Sequence, residues 1–376
     1  MIIGIDISSI QYGTGVSNYT NNLVKNLIKV DKTNTYKLFY SSFKNPIPCD
    51  IKYLAGKRVI IKQFRLPQSL LAFIWNQLHI FPIELLIGPC HLFHTSDWTQ
   101  PPTLQAKTIT TVHDLTPFLY PNWLHPTIVK NHTLKMKHAL KKCSHFICVS
   151  KNSQADLLRL FPSIDKHKTS VIYEACEQKY KDFSVLSIKE QQLLINKTKR
   201  KYNLNNFILA QGTREPRKNL TRLIKAFINF KNDHPNSNLD LAITGKYGWG
   251  HDINQDQPDY IKILGYIPEE DMVGIHASAL SLAYPSLYEG FGLPILKSMA
   301  VGTPVITSQN SSMSEIANNC AILVNPKSTT DIQTAINKIS QDKNLYQSLK
   351  KQGIVNSKKY SWTNTAKQTL KVYKKL

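Results

Sequence analysis

Acidic side chains, arginine and paired cysteines are all scarce in this chain of 376 residues. It carries 25 acidic against 47 basic residues, which gives a formal net charge of +22 at pH 7, and only seven of the basic residues are arginine. The six cysteines, at positions 49, 90, 143, 148, 176 and 320, form no Cys-x-x-Cys pair. Neither a zinc site nor a disulfide framework is therefore predicted, and a reducing, cytoplasmic setting is expected.

Long apolar runs are also missing. The nearest approach to one, residues 70–88, is interrupted by polar residues or proline at positions 76, 77, 79, 82 and 84. A membrane-spanning helix needs roughly 18 or more consecutive apolar residues, so none is predicted. The first residues, MIIGID, lack the basic flank and the small-residue cleavage site of a signal peptide, and we interpret them as a first buried strand.

The positive charge favours an anionic partner, which means phosphate groups, an acidic lipid surface or nucleic acid. Nearly all of the excess is lysine, which an AT-rich coding sequence would also produce, so the charge alone does not decide among these explanations. Nucleic acid is not expected, because the sequence has no RNA-binding aromatic motif, zinc spacing or recognisable helix-turn-helix. Residues 130–142 form a basic amphipathic pattern that suits peripheral attachment to an anionic membrane, with an ordinary solvated helix face as the alternative.

Short β-rich runs alternate with helical patterns along the whole chain, which is typical of parallel βαβ units. The predicted strands are residues 2–7, 36–40, 59–61, 92–94, 108–112, 146–149, 169–172, 207–211, 239–244, 261–264, 280–283, 304–307 and 321–324. Ser17 is expected to cap the first helix and Ser150 the helix at 152–160. The pattern predicts an α/β fold of two Rossmann-like domains, whose parallel sheets face each other across a ligand-binding cleft.

The domain boundary is predicted from a change in composition. Residues 181–200 are polar and rich in lysine and glutamine, and we interpret them as the approach to an interdomain linker. The predicted domains are therefore residues 1–190 and 200–358. A basic amphipathic helix at 359–376 is expected to pack back toward the first domain.

A glycine-rich turn with one carboxylate, YEGFG at 288–292, leads directly into an apolar helical pattern. Backbone N–H groups at such a helix start have no partner within the helix and carry partial positive charge, so they favour phosphate. Glu289 beside them can accept hydrogen bonds from sugar hydroxyls. These features predict a ligand that contains both a sugar and a phosphate.

A second signal lies in GTREPRKN, residues 212–219, between a predicted buried strand and a helix. Arg217 suits bidentate contact with phosphate oxygens, and Lys218 adds a movable point charge, so the pair can hold a diphosphate. For an Arg-Lys pair considered by itself, the alternative is a solvated charged turn before a capped helix, with no bound ligand. The presence of the turn at 288–292 in the same chain favours the binding site.

Several motifs, in order along nearly the whole chain, resemble the family 4 glycosyltransferases of the GT-B fold, and their mannosyltransferase-like branch in particular. In the second half these motifs are EPRKNL (215–220), GKYGW (245–249), LGYIP (264–268), PSLYEGFGLP (285–294) and GTPV (302–305). In the first half they are GTG (13–15), TVHDL (111–115) and VSKNS (149–153). The resemblance is weakest between residues 50 and 105.

The resemblance implies retaining transfer of a hexose from a nucleotide diphosphate sugar, bound by the second domain, to an acceptor hydroxyl, bound by the first. The residues it implies as catalytic are His113, near the reacting carbon, Glu289, over the donor sugar, and Arg217 and Lys218, on the diphosphate. The residues expected to bind the donor are Gly13, Gly15, Arg217, Lys218, Tyr266, Ile267, Glu289, Phe291, Gly292, Leu293 and Lys297. Asp114 is as readily explained as a turn former or helix cap.

Lys297 departs from the family pattern, in which a second glutamate stands at this position and usually binds the ribose of the donor nucleotide. A lysine can donate hydrogen bonds to ribose hydroxyls but cannot accept them. Ribose binding is then weaker, differently arranged or directed at additional negative charge, or Lys297 faces solvent and another residue takes the ribose. Arg214 is a second departure, because this position is usually apolar in the branch.

No Asp-x-Asp pair occurs in the sequence, whereas metal-dependent sugar transferases commonly use one to hold a cation on the diphosphate. Because Arg217, Lys218 and the helix start supply positive charge, neither a metal nor a cofactor is expected. GDP-mannose is the favoured donor, with a UDP-sugar as the main rival, and the acceptor is expected to be a saccharide or lipid-linked saccharide of an O-antigen, capsule or glycolipid. The alternative, which Lys297 supports, is a non-catalytic GT-B homologue that acts as a binding subunit of a glycan assembly complex.

Overall fold

The computed structural model describes residues 1–248 and 257–376, so Trp249, which ends one of the predicted motifs, lies outside the described residues. The chain divides into two compact units. The first consists of Met1–Glu174 together with Ser361–Leu376, and the second of Ala175–Tyr360. Each unit is organised around one parallel β-sheet.

The first unit contains a seven-stranded sheet in which every neighbouring pair is parallel. Its strands are β1 (Ile2–Asp6), β2 (Thr35–Ser41), β3 (Val59–Phe64), β4 (Leu92–Thr95), β5 (Lys107–Val112), β6 (Cys143–Cys148) and β7 (Thr169–Val171). Their order across the sheet is β3-β2-β1-β4-β5-β6-β7. The order therefore changes direction between β1 and β4, the kind of switch point at which parallel α/β sheets bind ligands.

The helices of the first unit cover this sheet and include the last helix of the chain. They are α1 (Gly15–Val30), α2 (Cys49–Lys52), α3 (Gln68–Ala72), α4 (Glu84–Ile87), α5 (Thr116–Leu119), α6 (Pro126–Lys142), α7 (Lys151–Leu160) and the C-terminal helix at Trp362–Lys375. The C-terminal helix packs against α1. Its buried face, which includes Ala366, Leu370 and Tyr373, explains why an otherwise basic segment is held there.

In the described part of the second unit, six strands form the sheet, again with parallel neighbours. They are β8 (Asn206–Gln211), β9 (Leu239–Thr244), β10 (Ile261–Gly265), β11 (Ser281–Tyr284), β12 (Val305–Ser308) and β13 (Ile322–Val324), in the order β10-β9-β8-β11-β12-β13. The strands β8, β9, β11 and β12 are largely buried on both faces because helices cover both sides of the sheet. The switch point of this sheet lies between β8 and β11.

The described part of the second unit contains eight α-helices, and the first two of them overlap the segment that we interpreted as a linker. They are α8 (Gln178–Phe183), α9 (Ile188–Lys201), α10 (Leu220–Asp233), α11 (Met272–Ser278), α12 (Leu293–Ala300), α13 (Ser311–Ala317), α14 (Thr329–Gln341) and α15 (Lys343–Lys358). The C-terminal helix of the chain, described above with the first unit, is α16.

The linker interpretation of residues 181–200 was wrong, and the unit boundary falls at Glu174, earlier than the predicted residue 190. The segment is helical because Ser187 and Glu190 form a reciprocal capping box at the start of α9. It belongs to the second unit because α8 and α9 pack on α11. Buried side chains such as Tyr180 and Phe183 hold α8 in place.

The first helix is capped by Thr14 rather than by Ser17. The helix begins at Gly15, so Ser17 lies in its first turn, and the Thr14 hydroxyl accepts a hydrogen bond from the Ser17 N–H. The Ser17 hydroxyl in turn accepts from the Thr14 N–H at 3.0 Å. Ser150 does cap α7, as the sequence predicts, by accepting from the N–H of Ser153.

None of the helices in residues 1–248 and 257–376 combines the length and the apolar character that a membrane crossing requires.

Candidate functional site

The turn after β8 and the loop after β11 are tied together on the two sides of the switch point. A 3-10 turn at Pro216–Lys218 separates β8 from α10, and Asn219 follows it in the left-handed conformation with φ of 61°. The Asn219 amide donates to the Pro285 carbonyl at 2.9 Å, and the Leu287 N–H donates to the Arg217 carbonyl at 2.7 Å. These bonds fix the two predicted cations beside the predicted carboxylate loop.

Gly212 makes room for the side chain of Lys218. It has a φ of +142°, and a Cβ atom built there would lie 2.9 Å from Cε and 3.2 Å from Cδ of Lys218. Glycine removes that conflict, and it also adopts a backbone conformation that other residues rarely adopt. The stem of Lys218 therefore lies against the backbone at the end of β8, and the residue is only 9% exposed.

The carboxylate of Glu289 is the centre of a buried polar cluster. Its Oε1 accepts hydrogen bonds from Nζ of Lys218 at 2.6 Å and from the hydroxyl of Tyr284 at 2.8 Å. Its Oε2 pairs with Nη1 of Arg217. The hydroxyl of Tyr284 also accepts from Nζ of Lys218 at 2.6 Å, so these four side chains form one connected network.

The two cations keep Glu289 ionised in spite of its burial. Burial alone would raise the pKa of Glu289, but the charges of Arg217 and Lys218 and the hydrogen bonds from Lys218 and Tyr284 lower it to about 2. A permanent negative charge therefore stands beside two cations at the sheet edge. The backbone of Glu289 is held as well, because the hydroxyls of Ser311 and Ser312 both donate to its carbonyl, at 2.6 and 2.8 Å.

Two members of this cluster were not singled out from the sequence. Tyr284 is the last residue of β11, and its position at the carboxyl end of a strand beside the switch point is the signal that could have identified it. Glu215 places its Oε1 2.7 Å from Nε of Arg217, so it holds the guanidinium at a different nitrogen from the one that pairs with Glu289. Its position in the motif at 215–220 gave no indication of that contact.

The helix start after Glu289 has the geometry that the sequence predicts. Gly292 is the N-cap of α12, with a left-handed φ of +95°, and Leu293 is the first residue of the helix. Phe291 is buried and its ring contacts that of Tyr360, with 6.1 Å between centroids. The first turn of an α-helix presents N–H groups and partial positive charge at its end, which adds to the charge of the nearby cations.

Lys297 lies on α12, one turn from its start, and it does not face solvent. Its side chain is 4% exposed, and Nζ lies 3.2 Å from Oε1 of Glu177 and 3.8 Å from Oε2 of Glu269. Nζ is also 5.0 Å from the ring centre of Tyr180. Burial opposes its charge, but Tyr180, Glu177 and Glu269 outweigh burial and raise the pKa of Lys297 above the usual lysine value.

The interpretation of Lys297 as a solvated surface lysine is therefore wrong. Its ammonium is held by two carboxylates that belong to other segments of the second unit, while Lys179 also binds Oε2 of Glu269, at 3.1 Å. The position that carries a second glutamate in the family pattern thus carries a cation here, and Glu177 and Glu269 bring carboxylates to its side. The predicted contact of Lys297 with the donor ribose stays a prediction.

The remaining donor-binding predictions in the second unit differ in accessibility. Tyr266 is exposed, with Nζ of Lys246 4.9 Å from its ring centre, whereas the side chain of Ile267 is buried. Ile267 can therefore offer its backbone to a ligand more readily than its side chain. Arg214, the second departure from the family pattern, stacks its guanidinium on Tyr247 at 5.3 Å from the ring centre.

In the first unit, His113 follows the carboxyl end of β5. Its Nδ1 lies 3.3 Å from Oε1 of Glu174, and its ring meets that of Tyr19 edge-on, with 4.6 Å between centroids. Burial lowers the pKa of His113, but the hydrogen bond to Glu174 and the charge of Asp97 outweigh it and raise the pKa above the usual value. His113 is therefore a histidine held by a carboxylate, not an isolated core residue.

The neighbours of His113 in sequence and the predicted glycines have simpler roles in this geometry. Asp114 accepts from the N–H of Thr116 at 2.9 Å, which is a turn-forming contact at the start of α5. Gly13 has a left-handed φ of +63°, and a Cβ atom at Gly13 or Gly15 would meet nothing within 4 Å. The backbone at 13–15 is thus open to close approach by a ligand.

The structure brings Arg217, Lys218 and Glu289 into one cluster, while Lys297 belongs to a separate set of ion pairs and His113 to the first unit. Within residues 1–248 and 257–376, no group of three or more histidine, cysteine, aspartate or glutamate side chains is placed to hold a metal ion.

Family models match both halves of the chain. The model of the glycosyl transferases group 1 matches residues 192–355, and that of Glycosyltransferase Family 4 matches residues 13–177. The O-antigen chain mannosyltransferase B of Escherichia coli is 29% identical over 381 aligned residues, which span 96% of this chain and 96% of that protein. The O-antigen chain mannosyltransferase RfbU of Salmonella typhimurium is 30% identical over 245 residues, 64% of this chain and 62% of that protein.

Solved structures agree with the architecture over the whole chain. HepE of Anabaena, crystallised with UDP and glucose, has a TM-score of 0.72 at 16% identity and covers 100% of both chains. Sucrose-phosphate synthase of Thermosynechococcus elongatus has a TM-score of 0.73 at 18% identity and covers 100% of this chain and 98% of that one. These likenesses confirm the predicted fold of two Rossmann-like domains, and the sequence matches confirm the predicted family. The chain is a glycosyltransferase of the GT-B fold that belongs to family 4 (group 1), and within the family it is similar to mannosyltransferases of O-antigen synthesis.

Proposed function

We propose that this chain transfers mannose, with retention of anomeric configuration and without a metal, from GDP-mannose to a hydroxyl group of a saccharide or lipid-linked saccharide. The product would be part of a cell-surface glycan of the O-antigen type. The similarity to O-antigen mannosyltransferases supports the sugar and the pathway. A UDP-sugar is the rival donor, because UDP and glucose are bound in the similar structure of HepE.

The cluster of Arg217, Lys218 and Glu289 carries the proposal. It lies beside the switch point of a parallel sheet, where such folds bind nucleotides, and it stands next to the start of α12. Two cations and a helix start favour a diphosphate, and a carboxylate among them favours the hydroxyls of the attached sugar.

The cations have a direct catalytic task in this reaction. When the bond between the anomeric carbon and the diphosphate oxygen breaks, the leaving nucleoside diphosphate gains negative charge. Arg217 and Lys218 stabilise that charge more strongly in the transition state than in the ground state, which lowers the barrier. Glu215 fixes the guanidinium of Arg217 by its contact at Nε, so little reorganisation is required during the reaction.

Glu289 has two tasks in the proposed mechanism. Its Oε2 accepts hydrogen bonds from the donor sugar and so orients the anomeric carbon toward the acceptor. Because its pKa is about 2, it stays negatively charged at neutral pH and stabilises the positive charge that develops on the sugar ring. The donor diphosphate competes with Glu289 for the two cations, so donor binding is expected to rearrange the pairs within the cluster.

In the first unit we assign His113 to the contact with the transferred sugar. Glu174 holds its Nδ1, which leaves Nε2 as the ring nitrogen for a substrate hydroxyl. Its raised pKa favours the protonated ring, which is a hydrogen-bond donor at both nitrogens. The open backbone at Gly13 and Gly15 is the second contribution that we assign to this unit.

The experiment that tests this function measures release of free nucleoside diphosphate from GDP-mannose, UDP-glucose and UDP-N-acetylglucosamine in the presence of EDTA. We expect turnover that is fastest with GDP-mannose, unaffected by EDTA, and lost in Lys218→Met. The matched control is Lys225→Met, which removes an exposed lysine from α10 and should leave turnover unchanged.

The same assay separates the alternatives. Faster release from a UDP-sugar would overturn the choice of donor but keep the transferase. Nucleotide binding without turnover of any donor, tested with saccharide acceptors present, would support the non-catalytic binding subunit instead. Loss of activity in EDTA that is restored by magnesium would overturn the metal-independent mechanism.

A further inference from the structure

The loop between β10 and α11 carries a carboxylate, that of Glu269, to which the mechanism above gives no task. Its Oε2 lies 3.1 Å from Nζ of Lys179 and 3.8 Å from Nζ of Lys297. Nζ of Lys179 also donates to the backbone carbonyl of Glu269 at 2.7 Å. Two ammonium groups therefore hold this residue, although its side chain is 49% exposed.

Glu269 keeps one oxygen for a further partner. Among residues 1–248 and 257–376, no group donates a hydrogen bond to its Oε1, because the contacts of this carboxylate are made at Oε2. Burial raises the pKa of Glu269, but the charges of Lys297 and Lys179 outweigh burial and lower it. An ionised carboxylate with an unused oxygen is a strong acceptor for the hydroxyl groups of a ligand.

Glu177, the second carboxylate beside Lys297, is less accessible. It is the N-cap residue of α8, and its side chain is only 16% exposed. Its Oε1 lies 3.2 Å from Nζ of Lys297, while its Oε2 is buried and has no hydrogen-bond partner in the described part of the chain. Glu177 therefore serves to neutralise the buried ammonium, and Glu269 is the carboxylate that a ligand can reach.

The loop that carries Glu269 begins at the same edge of the sheet as the diphosphate cluster. The N–H of Gly212, after β8, donates to the carbonyl of Thr244 at 3.0 Å, and the N–H of Gly245, after β9, donates to the carbonyl of Gly265 at 2.7 Å. The carboxyl ends of β8, β9 and β10 thus lie side by side, and Glu269 follows the third of them. Rossmann-like sheets commonly bind the ribose of a nucleotide through a carboxylate near the phosphate-binding turn.

Helix α12 connects the proposed phosphate site with Glu269. Lys297 is the fifth residue of this helix, about 6 Å along the axis from Leu293 at its start. Side chains of a helix tilt toward its N-terminus, so Lys297 holds Glu269 on the side of the helix start. A ribose is joined directly to the diphosphate of a nucleotide, so its hydroxyls lie close to the same helix start.

We propose that Glu269 binds the ribose hydroxyls of the nucleotide donor, and that Lys297 and Lys179 are positioning residues that hold its carboxylate. The chain thereby keeps a carboxylate for the ribose, although a lysine occupies the position of the second glutamate in the family pattern. This role of Glu269 rests on the proposed function, because it requires the diphosphate to lie at Arg217 and Lys218. It does not depend on the base, since guanosine and uridine nucleotides carry the same ribose.

Calorimetric titration with GDP and with 2′,3′-dideoxy-GDP, which lacks both ribose hydroxyls, tests this role. We expect the native chain to bind GDP roughly tenfold to a hundredfold more tightly, which is the range for a hydrogen bond to a charged group. Glu269→Ala should weaken GDP binding by a similar factor and should not weaken binding of 2′,3′-dideoxy-GDP. A general disturbance of the fold would weaken both ligands alike. If the chain binds only UDP, the same comparison is made with UDP and its dideoxy form.

Two further variants show whether the effect belongs to this carboxylate and its cations. Glu270→Ala removes the neighbouring exposed glutamate of the same loop and should keep the full preference for GDP. Lys179→Met removes one of the cations on Oε2 of Glu269 and should reduce the preference without abolishing it. An unchanged preference in Lys179→Met would overturn its role as a positioning residue. Circular dichroism of each variant checks that it is folded.

The outcomes separate this proposal from the proposed function. Equal affinity of the native chain for GDP and 2′,3′-dideoxy-GDP, with GDP binding still lost in Lys218→Met, would overturn the role of Glu269 alone. A preference that survives in Glu269→Ala but disappears in Lys297→Met would overturn it in favour of direct contact by Lys297. A preference that disappears only in Glu177→Gln would overturn it in favour of Glu177. Absence of all nucleotide binding would overturn the proposed function as well.

Discussion

Nζ of Lys218 lies 2.6 Å from Oε1 of Glu289, although the two residues are 71 positions apart in the sequence. One follows β8 and the other follows β11, the two strands on either side of the switch point of the second sheet. The contact therefore joins the two segments in which we predicted a diphosphate site and a sugar site. We propose that this pair, together with Arg217, binds and activates the sugar donor.

Glu289→Gln should separate binding from catalysis. Removing the carboxylate leaves more positive charge on Arg217 and Lys218, so the Kd for GDP should fall several-fold. The rate kcat should drop on the order of a hundredfold, because the charge that stabilises the reacting sugar is lost. Calorimetry and the nucleotide-release assay measure the two quantities, with Glu270→Gln on an exposed glutamate as control. Unchanged kcat would remove Glu289 from the reaction.

The carboxylate of Glu289 should make the free energy of unfolding depend on pH in the acid range. The pKa of Glu289 is lowered from 4.5 to about 2 in the folded chain, so the stabilisation that its charge provides is complete above the unfolded pKa and is lost as the pH falls toward 2. At pH 7 the shift corresponds to about 3 kcal/mol of unfolding free energy. The difference between the native chain and Glu289→Gln in urea unfolding should therefore shrink by about 2 kcal/mol from pH 6 to pH 3. A difference that stays constant over this range would contradict the assignment.

Lys297→Met should destabilise the second unit. It leaves Glu177 and Glu269 without the buried ammonium between them, and loss of one partner of a buried ion pair costs roughly 3 to 5 kcal/mol. The double variant Lys297→Met with Glu177→Gln should recover part of the loss, because one of the uncompensated charges is removed. Urea unfolding measures the cost, and a loss below about 0.5 kcal/mol would show that the pair is not structural. The GDP affinity of the same variant tests separately whether Lys297 contributes to ribose binding.

The pair of His113 and Glu174 should stabilise the first unit on the acid side of neutrality. The pKa of His113 is raised in the folded state. The stabilisation that its protonated ring provides is therefore complete below the unfolded pKa of about 6.5 and is lost as the pH rises through the raised pKa. The stability difference between the native chain and Glu174→Gln should therefore be largest near pH 5.5 and decline through pH 8. An increase of that difference with pH would mean that His113 is neutral in the fold.

Much of the fold could be predicted because buried parallel strands appear in the sequence as short apolar runs. FILA in β8 and LAIT in β9 are examples, and a glycine follows the last residue of each of these two strands, where the chain leaves the sheet. The segment at 181–200 was misread because α9 buries little apolar surface, so the helical period is weak there. Its capping box, Ser187 with Glu190, is a local signal that could have indicated a helix there.

The site was predictable only as far as its motifs extend. Arg217, Lys218 and Glu289 stand in segments whose residue types suit a diphosphate and a sugar, so their chemistry could be stated in advance. The contacts of Tyr284 with Lys218 and of Lys297 with Glu177 join residues 66 or more positions apart, and no local pattern encodes such pairs. The burial of Lys297 likewise depends on how α8 packs on α12, which the sequence does not display.

Calorimetric titration of GDP and UDP into the native chain and into Lys218→Met, with Lys225→Met as control, tests whether the cluster holds the donor diphosphate. We expect the native chain and the control to bind GDP. We expect Lys218→Met to weaken the affinity by roughly tenfold to a hundredfold, since a hydrogen bond to a charged group is worth about 1.5–3 kcal/mol. Failure of the native chain to bind either nucleotide, or equal affinity in Lys218→Met while it remains folded, would contradict the claim.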